Sequence, residues 1–177
     1  MSTDGTSSAG RVDRVLLQSY LSDHLAGAEG GSARFGRMAD AYAGTPIGPA
    51  LARIAREVAD ERAWLHATAE RLDVRPSTLK RVGAAVAERA GRLKPNGRLT
   101  HPSPLTAVLE LDLMRSAVVG KRGVWETLEI WADELSLDPA RLRRLVARAD
   151  EQAATLTRLG KVAREQAFAA RGDGVVR

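Results

Sequence analysis

Glu61 falls in phase with an apolar row at helical spacing: Leu51, Ile54, Val58, Leu65 and Leu72. Such a row marks the face a helix turns to its core. A carboxylate there needs a cation or hydrogen-bond donors, because burying an unpaired charge costs far more than folding returns. Glu29 stands about fifteen residues before the turn signal Gly44-Thr45-Pro46, and Glu61 about fifteen after it. In an antiparallel helical hairpin, equal distance from the turn means equal depth. Glu29 and Glu61 are therefore expected to share a layer, the alternative being that Glu29 faces solvent. Arg122 and Glu151 stand about equally far from a second turn near Leu137. Two chemistries follow. Carboxylates converging from Glu29, Glu61, Glu126 and Glu151 suit a hard cation such as iron or manganese, which takes oxygen ligands. The preferred reading is metal-free: Lys121 or Arg122 supplies the positive charge and pairs with Glu61 and Glu29.

Four long helices must position these groups. The first is expected over about 12–43, with Leu17, Leu21, Leu25, Ala28, Phe35, Ala39 and Tyr42 as its apolar row. Gly27, Gly30, Gly31 and Gly36 interrupt it, each costing about 1 kcal/mol against alanine in a helix interior. That cost implies a close helix–helix approach or a bend. Gly27-x-x-x-Gly31 suits close packing inside the bundle or a homodimer seam. Thr45 is a candidate cap and Pro46 a first-turn residue for the second helix, to about Leu72. A long connection, 73–103, carries a short helix near 77–93 and a turn at Pro95-Asn96-Gly97. The third helix, about 104–135, is apolar on more than one side, which predicts deep packing. Asp138-Pro139 starts the fourth, to about Ala170, with Leu142, Leu145, Ala149, Ala153 and Leu156 in its row.

Two helical hairpins joined by a long crossover resemble the ferritin-like four-helix bundle over residues 12–170, as one all-α domain with short tails at 1–11 and 171–177. In that family two helices each contribute a Glu and two contribute Glu-x-x-His to a two-metal site. Glu29 matches the lone glutamate of the first helix, and Glu61 that of the second, but Trp64 stands where the histidine belongs. Glu126 or Glu110 corresponds in the third helix. Glu151 corresponds in the fourth, with Ala154 in place of the second histidine. The resemblance thus implies the fold without the family's iron oxidation chemistry. No cofactor is expected; if one binds, it is iron or manganese.

Composition narrows the remaining classes. The chain has 177 residues, a net charge of +5, no cysteine and three histidines. Disulfides, zinc–thiolate sites and cysteine nucleophiles are excluded. Gly-x-Ser-x-Gly is absent, Gly120-Lys121 lacks the rest of a phosphate loop, and the glycines of the first helix follow no strand. His24 reads as a satisfied core histidine. Trp64, Trp125 and Trp131 read as packing anchors. Residues 75–98 hold seven basic residues (Arg75, Lys80, Arg81, Arg89, Arg92, Lys94 and Arg98) and one acid, Glu88. This basic stretch is a solvated connector or a patch for nucleic acid or another anion. It overlaps 68–84, which resembles a helix-turn-helix, with Asp73 where a turn glycine is usual. No apolar run at either end suggests a leader or a membrane anchor. The expectation is a cytoplasmic, non-enzymatic protein that acts by association with a protein partner, as a homodimer. The alternatives are a metal-dependent ferritin-like oxidase and a DNA-binding module.

Overall fold

The computed structural model describes residues 11–74 and 104–169. Within them lie four helices: α1 (Arg14–Ala41), α2 (Gly48–Arg71), α3 (Pro104–Ile130) and α4 (Pro139–Phe168). No strand occurs among the described residues, and no helix there is long and apolar enough to cross a membrane. The short helix expected near 77–93, the basic residues from Arg75 to Arg98 and nearly all of both tails lie outside the described residues.

Helix starts follow local chemistry. Asp13 caps α1, its carboxylate accepting from the backbone N–H groups of Val15 at 2.9 Å and Leu16 at 3.0 Å. Asp138 caps α4 by accepting from Ala140 N–H at 2.8 Å, with Pro139 behind it. These satisfy donors that the first helical turn leaves without partners. The expected cap at Thr45 is corrected. Its hydroxyl donates to the Tyr42 carbonyl at 2.7 Å, and α2 begins at Gly48 with Pro49, not Pro46, in its first turn. A Cβ at residue 48 would collide with the Tyr42 and Ala43 carbonyl oxygens, so the turn closes only over glycine.

Helix ends are equally local. After α2, Asp73 has φ 52°, and after α3, Ser136 has φ 52°. At the first, Val74 N–H reaches the Ala69 carbonyl at 2.9 Å and Asp73 N–H the Glu70 carbonyl at 3.1 Å. At the second, Leu137 N–H reaches Ala132 at 2.8 Å and Ser136 N–H reaches Asp133 at 3.1 Å. Both are Schellman caps, completed by a buried apolar residue, Val74 or Leu137. The left-handed Asp73 thus has a helix-capping cause that involves no DNA.

Helix directions come from cross-helix pairs. Arg34 and Tyr42 near the end of α1 meet Glu110 near the start of α3. Arg53 and Glu57 of α2 meet Thr155 and Gln152 of α4, while Arg71 meets Ser136. Every adjacent pair is therefore antiparallel, and α2 and α3 face each other across the diagonal, running parallel. Packing is far closer within the hairpins α1–α2 and α3–α4 than between them. Leu21, Leu51, Ile54, Leu128, Leu142 and Trp125 fill the shared core. The deep packing expected of α3 is corrected: Leu109 and Leu113 remain 42 % and 39 % exposed on its outer face. Four residues apart, they lie on one side of the helix.

Asp73→Gly and Ser136→Gly each relieve a side chain held in the left-handed region, worth about 1 kcal/mol. Calorimetry should show Tm rising by roughly 2–4 °C for each. An unchanged or lower Tm would mean that the side chains stabilise these turns in some other way.

Candidate functional site

The centre of the bundle is polar and largely buried. The Glu61 carboxylate on α2 is 1 % exposed. Lys121 on α3 reaches across the diagonal and donates from Nζ to Glu61 Oε2 and, at 2.6 Å, to Gln152 Oε1 on α4. The Gln152 amide, fully buried, donates in turn to Glu57 Oε2 at 2.9 Å and Glu61 Oε1 at 3.2 Å. One cation on α3 and one amide on α4 therefore serve two carboxylates on α2. Burial lowers the Lys121 pKa, and the attraction of Glu61 opposes that shift.

A cavity of about 310 Å³ adjoins this network between α1, α2 and α3. Lys121 and Glu61 line it together with Asp23, His24, Ser32 and Arg62, and Phe35, Val58, Met114 and Trp125 supply apolar wall. Trp125 is buried and meets Trp64 edge-on at 5.6 Å between ring centroids, and Arg141 lies over the Trp64 ring at 5.2 Å. Both tryptophans therefore serve as packing anchors.

Depth and orientation part company at the other expected residues. Glu29 does not join Glu61. It sits on the outer side of the hairpin, 46 % exposed, accepting from Arg62 at 2.7 Å and pairing with His66 at 2.8 Å. Arg122 does not enter the core either. It pairs with Asp150 at 2.7 Å and with Glu126, and those hydrogen bonds raise its pKa. Glu151 is exposed on α4. The four carboxylates expected to converge on a metal thus point to separate places, and Glu61 is already committed to Lys121. Among the described residues no three His, Asp or Glu side chains cluster to hold a metal. The donor set does not fit a two-metal centre. His24 donates from Nδ1 to the Tyr20 carbonyl at 2.9 Å, and its ring lies tilted against the Tyr20 ring, 4.2 Å between centroids.

Sequence reasoning missed Gln152 and Glu57. Gln152 had a signal: it lies three residues after Ala149 and four before Leu156, in phase with the α4 apolar row. Lys121 has apolar residues at every helical neighbour position (Met114, Ala117, Val118, Val124, Trp125 and Leu128), whereas those of Arg122 include Arg115, Glu126 and Glu129. Glu57, half-buried beside the row, has no such mark. A second cross-hairpin cluster joins Arg34, Glu110 and Tyr42: Arg34 donates to Glu110 at 2.5 Å and the Tyr42 hydroxyl donates at 3.0 Å. Burial, reinforced by Glu110, holds the Tyr42 phenol well above the usual tyrosine range.

Comparison with family models, with curated proteins and with solved structures gives no match.

Glu61→Gln leaves the buried ammonium without its counter-charge and should destabilise the fold by about 3 kcal/mol, read by urea denaturation. Glu61→Leu combined with Lys121→Met should recover most of that loss, because two apolar groups replace two buried charges. If the double variant is as unstable as the single one, the pair does more than neutralise itself.

Because the folded chain holds the Tyr42 proton more tightly than the unfolded chain, this stabilisation is complete below about pH 10 and is lost above it. Lys121 acts oppositely: its lowered pKa makes its contribution rise with pH in the window below the ordinary value of 10.5. Tyr42→Phe should cost about 1 kcal/mol at neutral pH through the donor lost to Glu110. Its Tm should then fall less steeply than wild type between about pH 9 and 11. Parallel slopes in thermal melts would count against the phenol as the source.

Proposed function

We propose that this chain is a ferritin-like bundle in the cytoplasm whose centre holds an ion pair in place of a metal, and that it works without catalysis, by associating with a second copy of itself. The observation that carries the reading is the Lys121 ammonium, placed against Glu61 and Gln152 at the middle of the bundle. A cation fixed there supplies the charge that a carboxylate at this depth requires, and it repels any metal ion seeking the same oxygens. The helix directions support the ferritin-like part. The end of α2 and the start of α3 lie at opposite ends of the bundle, as a long crossover between two hairpins demands.

Support for association comes from the outer face of α3. Leu109 and Leu113, one turn apart on one side of the helix, stay exposed there. Exposed apolar side chains grouped on one helix face mark contact surfaces more often than scattered ones do. The DNA-binding alternative rests on residues 75–84, which lie outside the described ones. Of its proposed first helix, Thr68 and Ala69 are buried in this bundle.

Sedimentation velocity of the wild type at about 100 µM should give a dimer, and Leu109→Glu with Leu113→Glu should give a monomer of unchanged helicity. A wild-type monomer at that concentration would remove the association reading. Two equivalents of iron or manganese in protein grown with those metals would remove the metal-free one.

A further inference from the structure

The cavity beside the central pair is bordered by glycines that packing does not require. Gly27 and Gly31 on α1 and Gly120 on α3 all line it. A Cβ built on any of the three would meet nothing within 4 Å. Of the two readings of Gly27 and Gly31, close packing inside the bundle is therefore corrected: Gly27 and Gly120 are exposed and Gly31 is partly exposed, so these residues keep the mouth of the cavity open. Each does so at about 1 kcal/mol relative to alanine. The volume, about 310 Å³, lies at the small end of the range for ligand pockets.

The polar end of the cavity has unspent hydrogen-bonding capacity. A lysine ammonium has three N–H donors. Lys121 uses one on Glu61 and one on Gln152, which leaves one without an acceptor among the described residues. Trp125 forms part of the same wall, and its buried indole N–H has no acceptor. Both groups are donors, so the missing partner is an acceptor.

Charge selects further. The ammonium and carboxylate at this end already neutralise each other. An anionic ligand would sit against Glu61 and a cationic one against Lys121, each repelled at short range. The rest of the lining is mainly apolar; its two further charges, Asp23 and Arg62, are opposite in sign, Arg62 is paired with Glu29, and His24 and Ser32 complete the polar part.

We propose that this cavity binds a small neutral apolar molecule carrying one hydrogen-bond acceptor, such as a medium-chain ketone, with the acceptor on the free N–H of Lys121 and the chain along Phe35, Val58 and Met114. The glycines of α1 and α3 set the room available to it. This site is independent of the association reading, since Leu109 and Leu113 do not line the cavity.

The test uses the full chain and 2-octanone, octanoate and octylamine as probes, followed by calorimetry and by tryptophan fluorescence. The ketone should bind saturably with one site per chain, and each charged congener at least tenfold more weakly. Gly31→Leu places a side chain in the cavity and should weaken ketone binding at least tenfold. Gly36→Ala, whose added methyl likewise meets nothing but which lies outside the cavity, should leave binding unchanged. Circular dichroism melts show that each variant is folded, and Lys121→Met, with the donor removed, provides a second variant that should bind at least fivefold more weakly. No saturable ketone binding, tighter binding of a charged congener, or ketone binding indifferent to Gly31→Leu would each overturn the proposal.

Discussion

A carboxylate and an ammonium can leave water together only if each finds the other and the remaining lone pairs and protons find partners as well. Glu61 and Lys121 meet across the diagonal of the bundle, Gln152 accepts from Lys121 and gives its amide to both Glu57 and Glu61, and only one N–H of Lys121 is left to the adjoining cavity. Three helices must therefore hold their rotation and their height at once. Slide or turn any of them and a buried charge is stranded, which costs several kcal/mol. Apolar packing alone tolerates more than one arrangement of similar volume, whereas this network does not.

The other ion pairs contribute differently. Arg122 with Asp150, and Arg62 with Glu29, are open to solvent, which screens such pairs and leaves them weak. Arg34, Glu110 and Tyr42 lie between these limits. They tie the end of α1 to the start of α3 at the rim where the hairpins otherwise touch little. The hairpins are thus joined by polar contacts at the centre, at the Glu110 rim and at the opposite end, where Arg71 donates to the Ser136 carbonyl, with a mainly apolar hollow between α1, α2 and α3.

The four long helices and the start of the last could be read from periodicity and from Asp138-Pro139, because caps and apolar spacing are local properties; the start of α2 and the end of α3, expected at Pro46 and near 135, could not. The burial of Glu61 could be read for the same reason. Glu29 shows where that reasoning stops. Counting residues from a turn fixes depth along a hairpin, but it says nothing of rotation about the helix axis, and Glu29 is turned outward. Phase against the apolar row carries the missing angle, which is why Lys121 and Gln152 lie inside and Arg122 outside. The glycines of α1 misled for another reason. A residue without a side chain is compatible with a close neighbour and with an open space, and only the surroundings decide between them.

The division of contacts also orders events in time. Most packing lies within α1–α2 and within α3–α4, between residues close in sequence. Such contacts close with little loop entropy and form early, whereas the pairs between hairpins must wait for distant segments to meet. The polar centre is made only at that docking step. Interactions absent from the folding transition state act on the rate of unfolding, not on that of folding. The buried charge pair is thus a latch: it does little to speed the chain into its native form and much to lengthen its stay there.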